Sequence, residues 1–261
     1  MISLRNQWSI FLIALGFLTR IPIGIVDFSP EKLNKASRYF ALVGALIGLL
    51  CAAVFLTAHL VLSQEIAILL SMVVGFYLTG GFHEDGLADV CDGFGGGYTK
   101  IRKLEIMKDS RVGTYGSLGL FSALLLKFLL LNELADPAIA LILMHTLSRT
   151  LASSIIFSAH YASADLISKT KPLANSMSLT SLLILLISTA LILALSTFVY
   201  LTISNLVILI LILVVLRSIL IKWFEHHLDG YTGDCLGFAQ QTSELLGYLT
   251  LIILLGTPDV R

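Results

Sequence analysis

The apolar residues of this chain fall into long runs rather than the alternating or every-third-and-fourth patterns of a soluble fold. The runs cover residues 39–62, 66–78, 118–131, 137–157, 179–195, 206–221 and 245–255. Several approach the roughly 20 residues that a helix needs to cross a hydrocarbon core of about 30 Å, and the shorter ones can draw on adjoining glycine, serine and threonine. Run 66–78 alone would also suit a buried helix of a soluble protein. The set leaves too little polar surface to cover it, so the pattern predicts an all-α, polytopic membrane helical bundle of about seven transmembrane helices.

Residues 1–22 begin with a further short apolar stretch behind Arg5, interrupted by Arg20 and Pro22, with no small-residue cleavage site after it. This predicts a retained N-terminal interfacial or re-entrant helix rather than a removed signal peptide.

Between the runs, the short connections 59–65, 132–136 and 196–204 contain no lysine or arginine. Longer polar segments, 80–116, 158–178 and 222–244, alternate with them and so emerge on the opposite face. These carry Lys100, Arg102, Lys103, Lys108, Arg111, Lys169, Lys171 and Lys222, and the N-terminal region adds Arg5, Arg20, Lys32, Lys35 and Arg38. The positive-inside rule makes that face cytoplasmic, with Arg261 the one discordant charge. The expectation is a single membrane-embedded domain over residues 1–261, multi-pass in the cytoplasmic (inner) membrane, with its polar clusters meeting at the cytoplasmic border.

Composition agrees: the 261 residues are 57% hydrophobic and 13% charged, about half the charged share usual in soluble domains. Seventeen basic against seventeen acidic residues make no case for nucleic acid as a partner. Cys51, Cys91 and Cys235 form neither a disulfide framework nor a CxxC zinc pair.

Against this background, G80-G-F-H-E-D-G-L-A-D-V-C-D-G-F-G-G-G97 holds four acidic side chains and seven glycines. Asp85, Asp89 and Asp92 stand at i, i+4 and i+7, which share one face of a helix. Three like charges on one face need a cation. Magnesium suits them, since it takes carboxylate oxygens, keeps several waters and bridges to substrate phosphates, whereas His83 alone is too little for zinc. Gly93, Gly95 and Gly96 permit left-handed backbone and close approach of N–H groups to a phosphate, although no Walker string is present. A solvated loop with capping aspartates is the bland alternative.

The following segment, 100–116, adds Lys100, Arg102, Lys103, Lys108 and Arg111, with Asp109, Ser110, Gly113 and Gly116 forming a polar turn before the next run. Membrane anchoring explains the first three cations as well as chemistry does. Lys108 and Arg111 flank an aspartate and abut glycines, which favours ligand contact. Carboxylates that hold a metal and cations that compensate phosphate charge are the two halves of a phosphoryl-transfer site.

Arg149 and Arg217 lie inside apolar runs, where an ionisable residue faces protein, a watery cavity or the interface by snorkelling. In the last polar segment Asp229 and Asp234 can support a metal or ribose hydroxyls, and His226 and His227 can accept protons near neutral pH.

The strings 80–97, L104-E-I-M-K-D-S-R-V-G-T-Y-G116 and G230-Y-T-G-D-C-L-G-F-A-Q-Q-T-S-E244 resemble the cobalamin 5'-phosphate synthase family, the adenosylcobinamide-GDP ribazoletransferases, over essentially the whole chain. Asp85, Asp89, Asp92, Asp109, Ser110, Gly113, Gly116, Gly233 and Asp234 are the family-like residues. Phe82, Glu84, Cys91 and Cys235 depart in small ways and remove no ligand.

The resemblance implies a magnesium-dependent membrane transferase. Its substrates would be adenosylcobinamide-GDP and alpha-ribazole or alpha-ribazole 5'-phosphate, its product adenosylcobalamin or the 5'-phosphate, with GMP released. In that scheme Asp85, Asp89 and Asp92 hold Mg2+; Lys108 and Arg111 balance charge on departing GMP; Asp109 is the provisional base; and Gly93, Gly95, Gly96, Ser110, Gly113 and Asp234 contact the substrates. Membrane lipid surrounds the chain, and a homo-oligomer is left open. Two rivals stand beside it: a CDP-alcohol phosphotransferase, and a transporter or cation channel whose carboxylates guide ions.

Overall fold

The computed structural model describes residues 4–24, 29–162, 176–197 and 200–256. Eleven α-helices follow one another in the described residues: α1 Leu4–Leu18, α2 Pro30–Ala36, α3 Phe40–His59, α4 Gln64–Thr79, α5 Phe82–Gly96, α6 Lys100–Met107, α7 Thr114–Glu133, α8 Pro137–Ser158, α9 Leu179–Thr197, α10 Ile203–Leu228 and α11 Gly233–Leu255. Lys169, Lys171 and Arg261, with most of segment 158–178, lie outside the described residues.

The helices form a multi-pass membrane bundle. Five of them are long and apolar enough to cross a bilayer, and a sixth crossing is reached if α4 and α5 together are one broken span. Seven had been the expectation. Two of the counted runs fall short because α4 stops at Thr79 and the apolar part of α9 covers only 179–195. Helix α1 is a short apolar helix of 15 residues that buries Ile10, Ala14 and Leu18.

Helix α8 is the axis of the bundle, almost wholly enclosed, and α3 packs most extensively against it. Gly44 and Gly48 make that possible. A Cβ on Gly44 would stand 2.2 Å from the His145 carbonyl oxygen, and one on Gly48 would stand 2.7 Å from the Ile142 Cα. Two small residues four apart let two helices touch backbone to backbone, the standard device where lipid removes the hydrophobic drive for helix association. Helix α10, by contrast, is mostly exposed along its apolar length, as a lipid-facing helix must be.

The chain turns sharply after α4. Gly80 and Gly81 both take φ +69°, a left-handed conformation that side chains resist, and α5 leaves at 87° to α4. Helix α5, with its four carboxylates, therefore leaves the axis of α4 and packs across α11, α7 and α6. Most of the polar segment 222–244 is helical: α10 continues to Leu228 and α11 starts at Gly233, so residues 229–232 alone connect them, and Gln240, Gln241 and Glu244 lie inside a spanning helix.

Candidate active site

Helices α5 and α11 cross where both lack side chains. A Cβ on Gly86 would meet the Asp234 carbonyl oxygen at 2.9 Å, and one on Gly237 would meet the His83 carbonyl oxygen at 3.1 Å. This crossing brings Asp234, in the first turn of α11, over the acidic face of α5. Thr232 caps α11, accepting from the Cys235 N–H at 3.3 Å, and its hydroxyl also reaches Asp234 Oδ2 at 3.4 Å. Asp85 is exposed, Asp89 and Asp234 are half-buried, and Asp92 is buried.

Asp89 sits at the centre of this group. The carboxylates of Asp234, Asp85 and Asp92 are its electrostatic neighbours. Helix spacing on α5 accounts for two of these neighbours, but Asp234 arrives from 145 positions away in the chain, and no local pattern announces it.

Asp92 is differently employed. Its Oδ2 accepts the Gly113 N–H at 2.6 Å and its Oδ1 the Gly116 N–H at 2.8 Å, so it caps the start of α7 with both oxygens. A Cβ on Gly116 would come within 2.2 Å of Asp92 Oδ2, which explains the glycine there.

The expectation of a left-handed glycine cradle is corrected. Gly93, Gly95 and Gly96 lie within the helical span of α5, and no positive φ occurs there. Their role is space: a Cβ on Gly93 would stand 2.5 Å from Met107 Cγ, and one on Gly95 would stand 2.5 Å from the Tyr115 ring. These notches seat α6 and the start of α7 against α5, which keeps this stretch helical instead of freeing it as a loop.

Beside the acidic face opens a cleft of about 370 Å³, lined by Asp92, Gly96, Arg102, Asp109, Arg111 and Tyr115 among others. Asp109 accepts from Arg111 through both carboxylate oxygens, at 3.0 Å to Nε and 2.6 Å to Nη2. The Arg111 side chain and backbone N–H hold the Asp109 carboxyl down at about 2, which makes Asp109 a weak proton acceptor. Arg102 pairs with Glu105 at 3.1 Å, and Lys100 pairs with Asp229 at 2.8 Å, tying α6 to the turn before α11. Ser110 and Lys108 are exposed in the same connection. His227 packs edge-on against Phe94 at 5.1 Å between ring centroids, and His226 is exposed.

A second constellation gathers around Arg149, which the sequence marked as an ionisable residue inside an apolar run, and its other members went unmarked. Deep between the spans, Glu244 accepts from Lys127 at 2.5 Å and Ser148 at 3.1 Å, lies 3.1 Å from His145 and 3.5 Å from Arg149, and also accepts from Gln240. Lys127 and Glu244 are 5% and 0% exposed, so each neutralises a charge that lipid could not tolerate. Nearer the rim, Gln241 donates to Glu84 at 2.8 Å. Network and site thus share α5 and α11. Besides Arg149, the lone Lys127 inside run 118–131 was the available signal.

Among the described residues, no three His, Cys, Asp or Glu side chains close on a point as a protein-only metal cage. The clustering of carboxylates around Asp89, with an open cleft at the Asp92 end of the same face, nonetheless suits magnesium, which commonly takes one or two protein carboxylates and completes its shell with water and substrate phosphate. On the geometry present, Asp85, Asp89 and Asp234 fit that part better than Asp92.

Comparison with known proteins bears on what such a site does. A family model described as cobalamin-5-phosphate synthase matches residues 10–252. A protein of Shewanella amazonensis named adenosylcobinamide-GDP ribazoletransferase is 50% identical over 260 residues, covering 97% of this chain and 98% of its own. One of the same name from Shewanella piezotolerans is 52% identical over 257 residues, covering 96% and 97%, and another from Shewanella frigidimarina is 50% identical over 253 residues, covering 95% of each. No solved structure matches.

Proposed function

The chain belongs to the cobalamin-5-phosphate synthase family, and from that membership and the site's geometry we propose the following activity and division of labour. The protein is an adenosylcobinamide-GDP ribazoletransferase. It joins the cobinamide phosphoryl group of adenosylcobinamide-GDP to alpha-ribazole or its 5'-phosphate and releases GMP. The observation that carries the site assignment is the grouping of Asp85, Asp89 and Asp92 of α5 with Asp234 of α11, on a face whose Asp92 end lines a cleft shared with Arg102 and Arg111.

Asp85, Asp89 and Asp234 would hold magnesium, which would supply charge neutralisation at the diphosphate. Arg111 and Arg102, with Lys108 beside them, take up negative charge as GMP departs. Asp92 acts one step back, fixing the connection that carries Arg111 by capping α7. The ribose 3'-hydroxyl of the acceptor attacks the phosphorus bound to cobinamide, a new P–O bond forms, and the P–O bond to GMP breaks. The hydroxyl proton leaves to water or to a carboxylate, and Asp109, bound by Arg111, is the weakest of the acceptors available. Orientation of the two substrates and charge compensation supply most of the rate.

The site faces the cytoplasm. Arg102, Lys103, Lys108 and Arg111 all lie in the segment that forms it, in keeping with the positive-inside rule.

The decisive measurement is GMP release from purified protein in lipid. Release that requires both adenosylcobinamide-GDP and a ribazole, is lost on chelation and returns with Mg2+ supports the assignment. Turnover of a CDP-linked lipid in its place, or ion flux without nucleotide cleavage, would replace it with one of the two rivals.

A further inference from the structure

On the side of α8 away from the carboxylates, α8, α9 and α10 leave an apolar cleft of about 250 Å³, walled by Leu151, Leu186, Leu193, Leu213 and Val214, with Arg217 among its lining. The cleft opens between apolar helices at membrane depth. Its contents are therefore drawn from the lipid.

Arg217 determines which lipid. It donates through Nε to Ser154 Oγ at 2.6 Å, and through Nη2 to the Ser154 carbonyl at 2.8 Å and to Ser158 Oγ. All three acceptors are neutral. Among the described residues Arg217 has no carboxylate partner, and its Nη1 group donates to none. Two other cations in the spans, Lys127 and Arg149, have Glu244. Among the described residues this half-buried guanidinium in a spanning helix meets no counterion, and a planar fork whose Nη1 group donates to none of them matches a phosphate.

Its depth fits a headgroup. Ser158 is the last residue of α8, so Arg217 stands level with that helix's end. The chain beyond is joined to the start of α11 by hydrogen bonds from Tyr231 N–H to the His160 carbonyl at 2.9 Å and from Ala162 N–H to the Tyr231 carbonyl at 2.8 Å. Arg217 therefore lies in the leaflet on the side of the acidic site.

We propose that this cleft binds one membrane phospholipid, an acyl chain lying between α8, α9 and α10 and the phosphate resting on Arg217. The lipid supplies the missing negative charge and fills a gap that the side chains leave open.

Native mass spectrometry of the delipidated full chain tests this, with phosphatidylglycerol, a diacylglycerol of the same chains and inorganic phosphate as separate probes. One phosphatidylglycerol should bind per chain, diacylglycerol should bind at least about tenfold more weakly, and phosphate alone should not displace the lipid. Arg217→Gln should weaken phosphatidylglycerol about tenfold and leave diacylglycerol unchanged, with Arg217→Lys in between. Leu193→Trp, which fills the cleft and keeps the cation, should weaken both lipids. Equal retention of phosphatidylglycerol by the wild type and Arg217→Gln would overturn the proposal. So would competition by inorganic phosphate at matched concentration, or a lipid-insensitive dimer that buries α9.

Discussion

The backbone of Asp234 lies against Gly86, so closely that a β-carbon on the glycine would stand 2.9 Å from the aspartate's carbonyl oxygen and 3.0 Å from its Cα. The contact has no flexible side chain to yield, because both sides are main chain. It sets how near the carboxylate of α11 comes to those of α5. Gly86→Val should therefore push Asp234 away from Asp89 and lower kcat/KM for GMP release by about 100-fold, the usual cost of an ångström of misplacement. The Mg2+ concentration for half-maximal rate should rise as well. Rate against Mg2+ in protein matched for membrane insertion decides it, and an unchanged Mg2+ dependence removes Asp234 from the metal set.

Asp89 and Asp92 are neighbours on one helix with different work, and the same substitution should separate them. Asp89→Asn removes the carboxylate with the most carboxylate neighbours and keeps its shape. Its turnover should fall by about 100- to 1,000-fold with little change in melting temperature. Asp92→Asn leaves one oxygen where two accepted backbone N–H groups, exposing the start of α7 to a loss of about 1–3 kcal/mol. Thermal unfolding in detergent should show the drop for Asp92→Asn and not for Asp89→Asn. Equal destabilisation by both would return Asp89 to a structural role.

How much of this was legible in the sequence follows from the range of the interactions. The apolar runs revealed the membrane bundle, because lipid imposes a length and polarity rule on every span. Helix spacing aligned Asp85, Asp89 and Asp92, and the quoted motifs pointed to the family. The chain did not reveal that Gly93 and Gly95 serve as notches for Met107 and Tyr115, since a glycine's local freedom says nothing of what packs on it. Nor did it reveal that Asp92 caps α7 while Asp234 joins Asp89, because both depend on how helices distant in sequence cross. Glu244 was counted with the polar segment 222–244, and only the start of α11 at Gly233 places it inside a helix opposite Lys127.

Asp109 offers a test in pH. Its carboxyl, held down at about 2 by Arg111, is ionised at and around neutral pH. A lowered carboxyl contributes above its unfolded value and loses that contribution only as pH falls through about 2, so it cannot set an acid limb near neutrality. Asp109→Asn should lower the rate of GMP release by less than about tenfold and leave the acid limb where it is in the wild type. A limb displaced by half a unit or more would restore Asp109 as the base.

The buried pair of Lys127 and Glu244 yields the last prediction, through the difference between breaking a pair and replacing it. Lys127→Met leaves Glu244 with Arg149 and His145 but strips its closest donor. Glu244→Gln leaves Lys127 and Arg149 facing each other without an anion. Removing one partner of a buried pair costs about 3–5 kcal/mol, whereas replacing both with uncharged residues of similar size is often neutral. Because three cationic or basic groups converge on Glu244, Glu244→Gln should destabilise more than Lys127→Met. The double variant should recover part of that loss, since it removes one of the two unmatched cations. Chemical or thermal denaturation of the four proteins in one detergent forms the cycle. Additive losses would mean that Lys127 and Glu244 act independently, and that the short contact between them is not what holds α7 to α11.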